Sequence, residues 1–137
     1  MKNPRSIVHG PDVRPLSALR EARLEAQLLE LACSNPATAC ELIRLLADTN
    51  RDLLQAMHKA LREGRWLALA AEAHRLLGAA RLIGWRTLCR LTERVERAAR
   101  SADPVASSAA LADLDRVLMR LDASLERLLD RRKKSPT

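Results

Sequence analysis

The sequence predicts an all-α protein, and three features of its composition and patterning carry that prediction. Leu and Ala, which are strong helix formers, dominate the 137 residues, whereas β-branched residues are sparse. No stretch alternates apolar and polar residues as a half-buried strand does. The chain has 2 Trp and no Phe or Tyr, so its core must be aliphatic. We therefore expect an antiparallel four-helix bundle with an additional N-terminal helix.

The first two helices are separated by the sequence Ser34-Asn35-Pro36. Residues 1–15 are rich in Pro and Gly and are predicted to be a flexible arm, after which the first helix opens at Ser17 and runs to about Cys33. Asn35 can cap the second helix, and Pro36 suits its first position, where an N–H group is not needed. Leucines at helical spacing continue to about residue 63, and Gly64 ends this helix.

Three further helices follow with short connections, which favour antiparallel neighbours. The third covers about residues 65–83 and stops at Gly84, and the fourth covers about residues 85–101. Asp103-Pro104 repeats the pattern of a cap followed by proline and opens a fifth helix that extends to about residue 132. The folded domain is thus predicted to span residues 16–132, with a disordered tail at 133–137.

The formal net charge of +7 is one cue for a nucleic-acid partner, but the arginines are spread along every segment among Glu and Asp. That distribution is typical of solvated helix faces with ion pairs. The three cysteines lack the spacing of a metal site or a disulfide framework, and no segment resembles a membrane span or a signal peptide. We expect a cytoplasmic monomer without bound metal or cofactor, membrane contact or small-molecule substrate.

The third helix carries the candidate site. On a helical wheel Leu69, Leu76 and Ile83 lie opposite His74 and are the predicted core face. The outer face exposes the histidine, carries apolar residues, and has Gly78 in mid-helix, where Gly costs about 1 kcal/mol relative to Ala. A docking partner that approaches the imidazole closely explains these three features together. The predicted docking residues are Leu67, Ala70, Ala71, Leu77 and Leu82, and Arg75 and Arg81 are the predicted sources of positive charge for an anionic group carried by that partner.

The segment Ala73–Gly84, which reads AHRLLGAARLIG, resembles the signature of histidine-containing phosphotransfer (HPt) domains. In that family the phosphorylated His is followed by an apolar residue at +2, Lys at +3, Gly at +4 and small residues at +5 and +6. Segments 50–54, 63–66 and 89–93 resemble the family's flanking helices. The resemblance spans about residues 28–128 in helix layout and looks closest to the C-terminal HPt modules of unorthodox hybrid sensor histidine kinases.

The resemblance implies that His74 accepts a phosphoryl group from a receiver-domain aspartate and passes it to another receiver. It also implies that Mg²⁺ belongs to the receiver, so that this chain binds no cofactor. The chain has no ATP-binding motif and is not expected to be a stand-alone enzyme. One departure from the family is Leu77, which stands where the family has Lys and leaves positive charge to Arg75 or Arg81.

Two other functions remain open from the sequence. A helical docking or scaffold module would use the same apolar residues without phosphotransfer, and a basic bundle would bind nucleic acid through its charge. The other histidines compete less well for the role of phosphoacceptor. His9 lies in the N-terminal arm, and His58 adjoins the core stripe of the second helix, where we predict a partly buried, structural residue.

Overall fold

The computed structural model describes residues 13–134, which form five α-helices without any strand. The helices are α1 (Ala18–Leu31), α2 (Pro36–Arg62), α3 (Trp66–Ile83), α4 (Arg86–Arg100) and α5 (Pro104–Lys134). The all-α prediction is confirmed. His9, most of the predicted arm and the last residues of the predicted tail lie outside the described residues, and α5 runs two residues beyond its predicted end at 132.

Local sequence sets the helix ends. The side chains of Ser17, Asn35 and Asp103 each accept a hydrogen bond from the backbone N–H three residues further on, at 3.2, 3.0 and 3.0 Å. These bonds satisfy donors that have no partner within a helix. Gly84 follows α3 with a φ of +68°, a left-handed conformation that glycine adopts without steric cost.

The predicted end of α1 at Cys33 is two residues too late, because the chain leaves the helical conformation just after Leu31. Cys33 and Ser34 have φ angles of +53° and +61°, which belong to the left-handed region. The N–H of Ser34 donates to the carbonyl of Leu29 at 2.8 Å, which closes the end of the helix. A left-handed conformation in two residues other than glycine is uncommon, so nothing in the residue types at 33 and 34 predicts it.

The chain divides into two compact units. The central unit, residues 48–117, holds the second half of α2, the whole of α3 and α4 and the beginning of α5. Short connections of two or three residues join these four segments, as expected for antiparallel neighbours in a helical bundle. Within the central unit α3 packs along α4. The fully buried large side chains of the central unit are all aliphatic, as predicted: Met57, Leu69, Leu76, Leu88, Val95, Leu111 and Leu114.

The terminal unit, residues up to 47 together with residues from 118, contains a buried carboxylate. Glu21 of α1 is 3% exposed, and its oxygens lie 3.0 Å from Arg131 Nη2 and 3.4 Å from the Ser124 hydroxyl. The same hydroxyl accepts a hydrogen bond from the N–H of Leu16 at 2.8 Å. A buried charge needs such partners, so these contacts tie α1 to the end of α5. They also give part of the basic run at residues 131–134 an ion-pair partner.

Candidate functional site

His74 projects from the exposed side of α3, and 65% of its side chain is accessible to solvent. Leu69 and Leu76, which the helical wheel places opposite His74, are completely buried. Ile83 is also buried, at 8% exposure. The predicted core face of this helix is therefore correct, and His74 is exposed, as predicted.

A carboxylate from α4 holds one ring nitrogen of His74. Both oxygens of Glu96 lie 3.3 Å from His74 Nδ1. The Glu96 side chain is only 14% exposed, so the Nδ1 edge of the ring faces the protein. An ionised carboxylate can only accept hydrogen bonds, which makes Nδ1–H the donor and leaves the lone pair on Nε2. Nε2 has no hydrogen-bond partner among residues 13–134.

Arg100, one turn further along α4, holds Glu96 in turn. Its Nη2 and Nε donate to the same Glu96 oxygen at 2.7 and 3.1 Å. The hydrogen bonds from Arg100 lower the pKa of Glu96 from the ordinary value of 4.5; partial burial raises it, and the hydrogen bond from His74 lowers it further. Glu96 is therefore ionised at neutral pH. The arrangement is a chain of two hydrogen-bonded links, from Arg100 to Glu96 and from Glu96 to His74.

A second pair of a histidine and an acidic residue lies elsewhere in the central unit. His58 Nε2 lies 2.9 Å from Asp115 Oδ2, and the two side chains are 37% and 24% exposed. This pair joins α2 to α5 within the central unit, so His58 is partly buried, as predicted, but it has an acidic partner that the sequence did not reveal. In residues 13–134 no three His, Cys, Asp or Glu side chains are grouped to hold a metal ion.

Comparison with known proteins adds an independent observation. The profile of the family described as Hpt domain matches residues 41–131, which is well over half of the chain. The chain belongs to the Hpt domain family. No curated protein and no solved structure matched it. Hpt domains are phosphotransfer modules of two-component phosphorelays, they interact with receiver domains of response regulators, and they are not themselves catalytic enzymes.

This membership narrows the functions that the sequence left open. The match favours neither the scaffold module nor the nucleic-acid-binding bundle. No helix in the described part of this Hpt domain has both the length and the apolar character needed to cross a membrane.

Most of the predicted docking residues lie at the surface of the Hpt domain. Leu67 and Leu82 are 83% and 62% exposed, which is unusual for large apolar side chains, and Ala71 and Gly78 are exposed as well. Measured from His74 on a helical wheel, these four residues lie within about 80° on one side. They form an apolar strip beside the imidazole, which we call the docking strip.

The docking prediction was wrong for Ala70 and Leu77. They are 4% and 3% exposed and belong to the core. Both lie within about 60° of His74 on the wheel, on the side away from the docking strip. The centre of the buried face of α3 is therefore not directly opposite His74. It is shifted round the helix towards Ala70 and Leu77. His74 consequently stands at the edge of the exposed face rather than at its middle.

The two predicted cations differ in their surroundings. Arg75 is exposed, and its Nη1 lies 3.6 Å from Glu72 Oε1 in an i, i+3 pair. Arg81 is exposed and forms no ion pair with any residue in the described range. At the +3 position, where the family has Lys, Leu77 is in the core. Among the candidate cations near His74, Arg81 is the one whose charge is not already matched by a carboxylate.

Sequence reasoning missed Glu96 and Arg100. A Glu followed by Arg at i+4 is common on helix surfaces and does not single out a site. The available signal was the short connection at Gly84-Trp85, because His74 lies ten residues before Gly84 and Glu96 eleven residues after Trp85. Two antiparallel helices with the same rise bring such residues opposite each other.

Replacement of Leu77 by Ala tests its place in the core. We expect Leu77→Ala to lower the free energy of unfolding by about 2–5 kcal/mol, because it leaves a cavity. Leu67→Ala is the matched control on the same helix, and its exposed side chain should change stability by no more than about 0.5 kcal/mol. Urea denaturation followed by circular dichroism measures both values. Equal, small effects would show that Leu77 is not buried.

Nuclear magnetic resonance of the imidazole nitrogens tests the hydrogen bond from His74 to Glu96. At mildly alkaline pH we expect one tautomer, with the proton on Nδ1, in the wild type and in Glu93→Ala. Glu96→Ala should give a mixture of tautomers, because nothing then holds Nδ1–H.

The pH dependence of this hydrogen bond follows from the lowered pKa of Glu96. Its contribution to stability is fully present above the ordinary pKa of 4.5 and is lost only as the pH falls through the lower pKa of the folded state. A tautomer mixture in the wild type at alkaline pH would contradict the geometry.

Proposed function

We propose that His74 is the phosphoacceptor of this Hpt domain, which takes a phosphoryl group from a receiver-domain aspartate and passes it to a second receiver. The proposal rests on one observation: the two ring nitrogens of His74 differ in their hydrogen-bond partners. Glu96 holds Nδ1 at 3.3 Å, whereas Nε2 has no partner within residues 13–134. An exposed histidine with one oriented nitrogen and one open nitrogen is what an in-line transfer needs.

In the proposed reaction the Nε2 lone pair attacks the phosphorus of the aspartyl phosphate. The Nε2–P bond forms as the bond between phosphorus and the aspartate oxygen breaks, and the electron pair leaves with the aspartate carboxylate. The proton on Nδ1 stays in place, so the ring acquires positive charge. Glu96 stabilises that charge through the hydrogen bond it already makes. Transfer to the second receiver is the same reaction in reverse.

Arg100 reduces the electrostatic repulsion between Glu96 and an incoming phosphoryl group. An unpaired Glu96 would repel the incoming anion, since like charges at short distance raise the energy of the complex. The hydrogen bonds from Arg100 at 2.7 and 3.1 Å place a positive charge directly against the carboxylate. We therefore assign Glu96 and Arg100 as positioning residues for the imidazole.

Positive charge for the phosphoryl group comes in this proposal from Arg81 and from the receiver. Arg81 lies about 20° round the helix from His74 and about 10 Å along its axis. Arg75 is less suited, because Glu72 already offsets its charge. Mg²⁺ is proposed to reside on the receiver, so that this chain binds no metal or other cofactor. The receiver is proposed to dock on Leu67, Ala71, Gly78 and Leu82.

The wider setting of the domain is proposed from the resemblance in its signature segment. The module serves a hybrid sensor histidine kinase and works in the cytoplasm as a monomer. The exposed docking strip supports a module that meets its receivers one after the other.

A transfer assay tests the proposal directly. Receiver domains carrying radiolabelled aspartyl phosphate are mixed with the wild type, with His74→Gln and with the control His58→Gln. We expect an acid-labile, base-stable label on the wild type and on the His58 variant, and none on the His74 variant. If none of several receivers labels the wild type, or if the His74 variant is labelled, the assignment is wrong.

Gly78→Ala separates docking from folding. A Cβ at residue 78 would meet no atom within 4 Å, so the isolated domain accommodates it. The variant should be more stable by up to about 1 kcal/mol, because Ala is the better helix former. We expect transfer from the receiver to slow by about tenfold, since displacement of a reacting group by a fraction of an ångström has such effects. Unchanged transfer rates would show that the receiver does not approach this residue closely.

A further inference from the structure

The outward face of α4 carries a stripe of arginines without carboxylate partners. Arg86, Arg90 and Arg97 are exposed, and they lie within about 40° of one another on a helical wheel. We call these residues the arginine stripe. It extends over about 16 Å of helix, on the side opposite the buried residues Leu88 and Val95. None of its members forms an ion pair or hydrogen bond through its side chain with another residue of the described range.

Elsewhere in the central unit, exposed arginines often pair with carboxylates. Arg94, also on α4, lies 2.9 Å from an oxygen of Asp113, and Arg100 is bound to Glu96. The sequence predicted such paired faces throughout. The arginine stripe departs from that prediction, because the single acidic residue on the same face, Glu93, forms no ion pair with any of the three arginines. Arg86 and Arg90 are like charges at i, i+4, a spacing that destabilises a helix slightly, so the stability of α4 does not explain this pair.

The stripe adjoins the phosphotransfer site. Arg97 follows Glu96 in the sequence, and Glu96 contacts His74 Nδ1. One turn of α4 therefore presents the carboxylate towards the imidazole and a guanidinium towards solvent. A molecule that covers Nε2 of His74 and extends along α4 meets these charges in turn, because Arg90 and Arg86 lie about 9 and 15 Å along the helix axis from Glu96.

We propose that the arginine stripe binds an acidic flank of the receiver domain that docks at His74, and that it governs receiver affinity and choice without taking part in the transfer step. The proposal rests on the proposed function, because the occupant is the receiver. Charge complementarity identifies that occupant: a protein that holds Mg²⁺ and a reacting aspartate has carboxylates clustered at its reacting face. Electrostatic complementarity of this kind raises association rates and discriminates between partners.

The test compares two triple variants with the same loss of charge. The first, R86Q/R90Q/R97Q, removes the arginine stripe. The second, R23Q/R44Q/R120Q, removes three exposed arginines of the terminal unit that likewise have no ion pair among the described residues. Transfer from a radiolabelled phospho-receiver is measured over a range of receiver concentrations at low and at physiological salt, which gives KM and the maximal rate separately.

We expect the stripe variant to raise KM about tenfold at low salt, to leave the maximal rate unchanged and to flatten the salt dependence. The control variant should change KM less than about twofold. An unchanged KM in the stripe variant, or the same rise in both variants, overturns the inference while wild-type transfer still stands. Failure of the wild type to be labelled overturns the proposed function instead. The role of the stripe is then tested separately, by comparing the receiver affinities of the wild type and the stripe variant in calorimetry. Loss of binding to a labelled DNA duplex with KM unchanged would assign the stripe to nucleic acid and also overturn the inference.

Discussion

The hydrogen bond between His74 Nδ1 and Glu96 is the interaction on which the proposed chemistry of this domain depends. It crosses from α3 to α4, so it exists only because these two helices pack along each other in the central unit. It holds an exposed side chain, which would otherwise sample several rotamers and two tautomers, in an orientation that leaves Nε2 open, as the proposed transfer requires. Arg100 fixes the carboxylate and keeps its pKa low, which ensures that Glu96 acts as an acceptor.

The off-centre burial of α3 reconciles two opposing requirements of the proposed phosphoacceptor. The imidazole must be open to a partner, yet it needs a neighbour rigid enough to hold one nitrogen. A residue at the middle of an exposed face would have the first property and lack the second. His74 stands at the edge of that face, with the docking strip on one side and the buried Leu77 on the other. The same displacement places the +3 position in the core, which explains why an apolar residue is tolerated there.

Much of the fold was predictable because its signals are local. Proline, glycine and capping residues mark helix ends through interactions that span only a few residues, and the hydrogen bonds of Ser17, Asn35 and Asp103 show them acting. The candidate phosphoacceptor was also predictable, since His74 and Gly78 stand together in a signature segment. Glu96 was not, because a helical wheel describes one helix and contains no information about which helix lies beside it. The burial of Ala70 and Leu77 was missed for the same reason.

The central unit assigns different tasks to different faces of two helices. The outer face of α3 presents the imidazole and the docking strip, the flank of α4 towards α3 orients the imidazole, and the outward face of α4 carries unpaired positive charge. In the proposed scheme this protein contributes only the position of the imidazole and the charges around it, because the metal site belongs to the partner. A partner held by the arginine stripe would be aligned with Nε2 through a single rigid helix, since Glu96 and Arg97 are consecutive residues. In this scheme α4 determines both receiver affinity and the orientation of the imidazole, but through different side chains. Either property can therefore change without loss of the other.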